Sequence, residues 1–185
     1  MGSRSPHAVP GTALVLLVAL AGATAADASR QARAPDIFFA PTLPAVVDAM
    51  LQLARVTPDD VVYDLGSGDG RILMRAAQRY GARGVGIELD PRLVGLATVI
   101  AREGGVADRV TFIEGDLFKV NLSPASVVTL YLSLGINRQL QPKLMRELRP
   151  GARVVSNTFE IGDWPPDEVA VVDGQRIFLW TVRAR

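Results

Sequence analysis

The chain has 185 residues, of which 49% are hydrophobic, and its 20 basic and 19 acidic side chains leave a net charge of +1. This length suits one domain with a sizeable core, and the balanced charge argues against a dedicated nucleic-acid binder. The sequence contains no cysteine, which excludes disulfides, zinc–thiolate sites and cysteine nucleophiles. Its single histidine is His7, so acid–base chemistry in the rest of the chain depends on Asp, Glu, Tyr or Lys.

Residues 1–34 differ in composition from everything that follows. Arg4 precedes an apolar run at 13–21, and the sequence 23–25 (Ala-Thr-Ala) matches a cleavage signal. This order predicts a secretory signal peptide or an uncleaved hydrophobic anchor with its linker, because the run is short for a membrane-spanning helix. We therefore expect an exported or inner-membrane-associated protein. A cytoplasm-facing tether and an organelle-type presequence are the alternatives.

Residues 35–185 are predicted to form one domain, which begins with a helix. Thr42 is expected to cap this helix, with Pro44 in its first turn. Phe38 and Phe39 are predicted to belong to the core or to a lid. Apolar side chains recur at helical spacing and define the buried face. These side chains are Leu43, Val46, Val47, Met50, Leu51 and Ala54.

A strand and a glycine-rich turn follow the first helix. Three β-forming residues, Val61 to Tyr63, run into an acidic residue and are typical of a buried parallel strand, and Gly66, Gly68 and Gly70 then fall at every second position. Apolar residues then return at helical spacing, so the turn opens a helix. A strand, a glycine turn and a helix N-terminus indicate a nucleotide-binding site, because bare backbone lets a ligand approach closely.

The glycine spacing indicates which nucleotide binds. The dinucleotide fingerprint G-x-G-x-x-G fails, because Arg71 stands where its third glycine should be. The observed G-x-G-x-G pattern after Asp64 resembles motif I of class I S-adenosylmethionine (SAM) methyltransferases. Glu88 ends a second predicted strand about 20 residues past the glycines, where an acid suits the two hydroxyls of a ribose.

A third predicted strand, Val110–Glu114, leads to Asp116, and the resemblance implies that this acid meets the adenine amino group. SAM is therefore the expected cofactor. The alternative is a set of buried strands whose acids only cap helices. The predicted cofactor-binding residues are Asp64, Gly66, Ser67, Gly68, Gly70, Glu88, Asp116 and Leu117.

Helices and strands are expected to alternate after the second strand. Further elements are predicted as a helix beginning at Asp90-Pro91, a strand at 126–132, a helix from about Asn137 to Leu148, a strand at 153–156, and a hairpin of 169–172 with 176–182. This order predicts an α/β fold, a doubly wound, mostly parallel, seven-stranded Rossmann-like sheet with a C-terminal hairpin. The loop 157–167 has two adjacent prolines and replaces a crossover helix. One edge of the sheet should therefore be thinly covered, with room for a large partner or a membrane surface.

A closer resemblance covers the span from Phe38 to Trp180. Matching pieces are Pro41-Thr42, 63–71 (YDLGSGDGR), 116–118, 127–132, 153–156, Asp163-Trp164, Pro166-Asp167 and Leu179-Trp180. The chain resembles a small family of mitochondrial lysine methyltransferases, which act on the adenine nucleotide translocase and the ATP synthase c subunit, and their bacterial relatives. The resemblance implies SAM-dependent N-methylation of a protein lysine, with a membrane protein as a candidate substrate. The chain departs from the family at 133–136, where a proline is expected.

A lysine acceptor must arrive neutral, which favours a carboxylate or a tyrosine nearby to take or relay its proton. The candidate catalytic residues are Tyr131, Glu160 and Asp163, with Phe159 and Trp164 as apolar walls. For each of them the alternative is a surface acid or a core aromatic. The partner is expected to be a protein substrate, with membrane association, no nucleic acid, no metal and a monomeric chain.

Two other functions are considered. One is a methyltransferase for a small molecule or lipid, and the other is a SAM-fold protein that binds a partner without catalysis. Methylation at C5 of a pyrimidine is excluded by the absence of cysteine, and the N/D-P-P-Y motif of amino-methylating enzymes is absent after the fourth strand.

Overall fold

The structure is a computed structural model that describes residues 1–2 and 40–184. The predictions for the N-terminal segment, for Phe38 and for Phe39 concern residues outside this range. In the described part of the chain, no helix has the length and apolar character needed to cross a membrane.

Seven strands form one sheet in the described residues. They are β1 (Val61–Leu65), β2 (Arg83–Glu88), β3 (Val110–Glu114), β4 (Val127–Leu130), β5 (Arg153–Asn157), β6 (Glu168–Val172) and β7 (Gln175–Thr181). Their spatial order is β3-β2-β1-β4-β5-β7-β6. The first five strands pair in parallel, and β7 is antiparallel to both β5 and β6. The predicted doubly wound, seven-stranded sheet with a C-terminal hairpin is confirmed.

Four helices accompany the sheet: α1 (Pro44–Leu53), α2 (Arg71–Tyr80), α3 (Pro91–Glu103) and α4 (Leu134–Glu147). One core cluster packs α1 and α2 against one face, and a second packs α4 and Trp180 against the other. The predicted start of α3 is confirmed, because the Asp90 side chain accepts a hydrogen bond from Arg92 N and Pro91 is the first helical residue.

The predicted start of α1 is wrong in one respect. The capping position is Leu43, because a residue before proline is pushed into extended backbone and cannot join the helix. Leu43 is 47% exposed and therefore lies outside the buried stripe. Thr42 is buried instead, and its carbonyl accepts a hydrogen bond of 2.9 Å from Arg71 Nη1.

The helix α4 begins one turn earlier than Asn137. Ser133 is its N-cap, and the Ser133 hydroxyl accepts a hydrogen bond of 3.3 Å from Ile136 N. Alternation also fails earlier than the sequence predicts, since residues 115–126, all of them described, connect β3 to β4 without a helix. Asn121 caps a turn there by accepting from Ser123 N, and a proline follows at 124.

The loop 158–167 covers the sheet where the second crossover helix is missing. Trp164 lies over Trp180 with ring centroids 6.1 Å apart, and Trp180 Nε1 donates a 2.8 Å hydrogen bond to the Trp164 carbonyl. The edge strand β6 still exposes two valines on one side, Val169 and Val171, the latter 67% exposed. This edge is thinly covered, as the sequence predicts.

Candidate cofactor and acceptor site

The carboxyl ends of β1 to β5 lie at one edge of the sheet, and the strand order reverses between β1 and β4. Ligands of doubly wound folds bind at such a reversal. The glycine turn after β1 and the residues that follow β4 therefore occupy the two sides of one expected crevice.

The turn after β1 requires its glycines. Gly66, Gly68 and Gly70 all have positive φ, between 55° and 80°, where side chains are strained. A Cβ on Gly66 would lie 2.7 Å from Leu132, and one on Gly70 would lie 2.4 Å from Phe112. The result is bare backbone leading directly into the N-terminus of α2, a surface that a ligand can approach closely.

Glu88, at the end of β2, is held by three backbone N–H groups. Its Oε2 accepts from Gly68 N at 2.9 Å, and its Oε1 accepts from Leu89 N at 2.8 Å and from Asp90 N at 3.0 Å. The carboxylate is thus fixed beside the glycine turn. It retains lone pairs that could accept from ligand hydroxyls, because a carboxylate offers about four acceptor sites.

Asp64, the last but one residue of β1, is buried, and Thr129 Oγ1 donates a 2.6 Å hydrogen bond to it. The pKa of Asp64 is raised to about 7, chiefly by burial and to a smaller degree by the nearby charges of Glu88 and Asp69, while the hydrogen bond from Thr129 opposes the rise. Asp69 itself is paired with Arg71 at 2.6 Å. The Arg71 guanidinium offsets the charge of Asp69, so Glu88 and the ionised form of Asp64 supply the negative charge beside the glycine turn, which disfavours a phosphate and favours a cation.

Ser67 and the residues after β3 complete the cofactor side. Ser67 is buried, and its Oγ has no hydrogen-bond partner among the described residues. Asp116 is half-buried: its Oδ1 accepts from Phe118 N at 2.9 Å, and its Oδ2 lies 3.5 Å from Lys119 Nζ. Leu117, next to it, packs against the second core cluster. Asp116 therefore caps a turn here, and its contact with adenine stays a prediction.

These features fit SAM, which carries positive charges on its sulfur and its amino group. The bare turn and the acidic side chains beside it suit a nucleoside with a positively charged tail. No group of three or more metal-ligating side chains occurs among the described residues.

The three acceptor-side candidates lie in different surroundings. Tyr131 is half-buried directly after β4. Glu160 Oε1 lies 3.6 Å from the Arg176 guanidinium. Asp163 is exposed and tied to α4, since Gln141 Nε2 donates to its Oδ1 at 2.6 Å. That bond lowers the pKa of Asp163, which makes it a weaker base. The catalytic roles of all three stay predictions.

A buried network near the end of β5 was not predicted. Asn137, in α4, donates from Nδ2 to Ser156 Oγ and to the Phe159 carbonyl, each at 3.1 Å. The sequence carries no signal for it, because the residues are about 20 positions apart.

The sheet, the glycine turn and the acids at the strand ends define a class I SAM-dependent methyltransferase. A family model, the ANTKMT methyltransferase domain, matches residues 64–168, a span that includes every predicted site residue. A protein-lysine N-methyltransferase of Saccharolobus islandicus is 43% identical over 140 residues, which is 75% of this chain and 87% of that protein. The chain belongs to the ANTKMT methyltransferase family.

Two further similarities bear on the substrate. The mouse adenine nucleotide translocase lysine N-methyltransferase is 40% identical over 74% of this chain, and the match spans 59% of that protein. A Salinibacter ruber structure described as an RNA methyltransferase, in complex with S-adenosyl-L-homocysteine, is 52% identical with a TM-score of 0.78. It covers 79% of this chain and 95% of that chain.

Proposed function

We propose that this chain is a SAM-dependent protein-lysine N-methyltransferase. The observation that carries this proposal is the 43% identity to the Saccharolobus islandicus protein-lysine N-methyltransferase over 87% of that protein's length. The site geometry agrees with it, since the glycine turn and Glu88 lie at the sheet edge where a cofactor is expected, and half-buried aromatic and acidic side chains follow β4 and β5 at the same edge.

Each side of the crevice has a distinct task in this proposal. When bound, SAM supplies a methyl group on a positively charged sulfur. Glu88 accepts from its ribose hydroxyls, the ionised form of Asp64 attracts its amino group, and the glycine turn gives it room.

On the acceptor side, the lysine stem needs an apolar wall and its amine must lose a proton before it reacts. Phe159 is half-buried beside the end of β5, and Glu160 follows it on the same loop. We assign the wall to Phe159 and the removal or relay of the proton to Tyr131 or Glu160. Asp163 keeps its place among the candidates, although its pairing with Gln141 gives it a structural task.

We further propose that the substrate is a membrane protein and that the chain is exported or attached to the inner membrane. The support is the hydrophobic segment 13–21, together with the mouse relative, whose named substrate is a translocase. A tether facing the cytoplasm would keep the domain supplied with SAM. We propose a monomer in solution.

RNA is a second candidate substrate, because the Salinibacter ruber structure at 52% identity is described as an RNA methyltransferase. The net charge of +1 disfavours it, since an RNA-binding surface depends on basic side chains to contact phosphates. A comparison of the two acceptors decides between them.

The decisive experiment incubates the purified full-length chain with methyl-labelled SAM, a membrane fraction and total RNA. The expected result is label in protein, recovered as methyllysine after acid hydrolysis. Label confined to RNA would overturn the lysine proposal. Variants Tyr131→Phe, Glu160→Gln and Asp163→Asn are compared in the same assay, and Asp163→Asn should lower turnover least.

A further inference from the structure

Two buried side-chain atoms of the described residues have no hydrogen-bond partner, and both belong to elements at the carboxyl edge of the sheet. One is Ser67 Oγ, in the glycine turn. The other is Asn137 Oδ1, in the first turn of α4, where Asn137 is fully buried. An unpaired buried polar atom lowers stability, and native structures retain few of them.

The orientation of the Asn137 amide is fixed by its partners. Its Nδ2 donates to Ser156 Oγ and to the Phe159 carbonyl, each at 3.1 Å, and Ser156 Oγ donates to the same carbonyl at 2.7 Å. Because a carbonyl only accepts, the nitrogen of the amide must face it. The amide thereby ties α4 to the segment that leaves β5.

That segment contains a strained turn. Thr158 has φ of 68°, and Phe159 N donates back to the Asn157 carbonyl at 2.8 Å, which closes a three-residue turn. A positive φ is unfavourable for a β-branched residue. Contacts from β7 also hold the turn: Thr158 N donates to the Arg176 carbonyl at 2.7 Å, and Asn157 Nδ2 donates to Gln175 at 2.8 Å. Such strain persists only where the surroundings determine the backbone.

We infer that Asn137 is a positioning residue of the acceptor side, which holds the strained turn at Thr158 and thereby sets where Phe159 and Glu160 stand beside the bound cofactor. This inference rests on the proposed function. Stability alone does not require the Asn137 amide. Without it, Ser156 Oγ would still donate to the Phe159 carbonyl, and the buried, unpaired Asn137 Oδ1 would no longer be present. An unpaired atom and a strained turn share one network at the edge where the two substrates meet, and such features cluster at functional sites.

The test replaces Asn137 by leucine, which has a similar shape and no polar atom. For Asn137→Leu we expect an unchanged or higher melting temperature and a SAM affinity within about twofold of wild type. The turnover number, measured on the acceptor that the wild-type protein methylates, should fall by about tenfold or more. Ser156→Ala, which removes the second donor to the Phe159 carbonyl, should lower turnover in the same direction. The control is Asn121→Ala, which removes an exposed turn cap and should lower the melting temperature without changing turnover.

Wild-type turnover in Asn137→Leu, at any melting temperature, would overturn the inference, and so would a fall in turnover matched by an equal fall in SAM affinity. If Asn137→Leu does not fold, Ser156→Ala decides by the same criteria. If the wild-type protein itself methylates RNA but not protein, the proposed function is overturned instead. The comparison of variants would then be made on RNA and would still test whether Asn137 positions the acceptor side.

Discussion

The carboxylate of Glu88 holds the glycine turn in place, and it is also the proposed acceptor for the ribose hydroxyls. Three backbone N–H groups already hold it, one of them from the glycine turn. The same fixed orientation suits it to accept from ribose hydroxyls. A substitution therefore frees the Gly68 N–H from its partner, and in the proposed function it also removes the acceptor for the ribose hydroxyls.

Glu88→Ala should weaken SAM binding by about 1.5–3 kcal/mol, because charge-assisted hydrogen bonds to the ribose are lost. Isothermal titration calorimetry of the purified protein measures this change. Glu114→Ala is the matched control, because Glu114 ends the neighbouring strand in register with Glu88 and is exposed. The SAM affinity of this variant should equal that of wild type. Unchanged affinity in Glu88→Ala would remove Glu88 from the site.

Asp64 makes the stability of the ligand-free protein depend on pH. Its pKa rises from 3.8 to about 7 on folding, because burial disfavours the charged form. The folded state therefore holds more protons than the unfolded chain between about pH 4 and 7, and stability falls as pH rises through that window. Urea unfolding of wild type and Asp64→Asn from pH 5 to about 8 should show a loss on the order of a few kcal/mol in wild type only. Parallel curves for the two proteins would contradict this prediction.

Among the elements, strands that end in acids and the start of α3 could be predicted, whereas the cap of α1 and the start of α4 could not. The third predicted strand has the bounds of β3, although β3 is an edge strand with three of its five residues exposed, and the apolar start of β1 matches the run that the sequence shows at Val61. The start of α4 was missed because its cap, Ser133, lies in a segment that reads as a loop. The network of Asn137 was missed because only the packing of α4 against β5 brings its members together.

The loop 158–167 covers the sheet where a crossover helix is missing, and it does so mainly with one aromatic side chain. Trp164 is half-buried over Trp180 and is fixed through its carbonyl. Trp164→Ala should cost about 1–3 kcal/mol of stability, which corresponds to a fall in melting temperature on the order of 3–10 °C. Differential scanning fluorimetry measures it, with the exposed Val171→Ala as a control that should melt like wild type. SAM affinity should not change, and a large loss of affinity would instead assign the loop to the cofactor site.

For the whole molecule, the catalytic domain and the N-terminal segment point to different cellular locations. The domain has the sheet order, the glycine turn and the family match of a methyltransferase. SAM is made in the cytoplasm, whereas residues 1–25 have the pattern of an export signal. The state of the N-terminus in cells therefore decides where the enzyme meets its substrate.

If residues 1–25 are a cleaved signal, a C-terminally tagged chain recovered from cells should begin near Ala26, because cleavage follows the small residues at 23–25. Intact-mass spectrometry of membrane and soluble fractions measures this directly. Full-length protein in the membrane fraction would favour an uncleaved anchor, whose domain can face the cytoplasm and its supply of SAM. Leu17→Arg interrupts the apolar run and is the matched control: it should leave a full-length, soluble protein with normal SAM binding. Full-length wild type recovered in the soluble cytoplasm would contradict both export and anchoring.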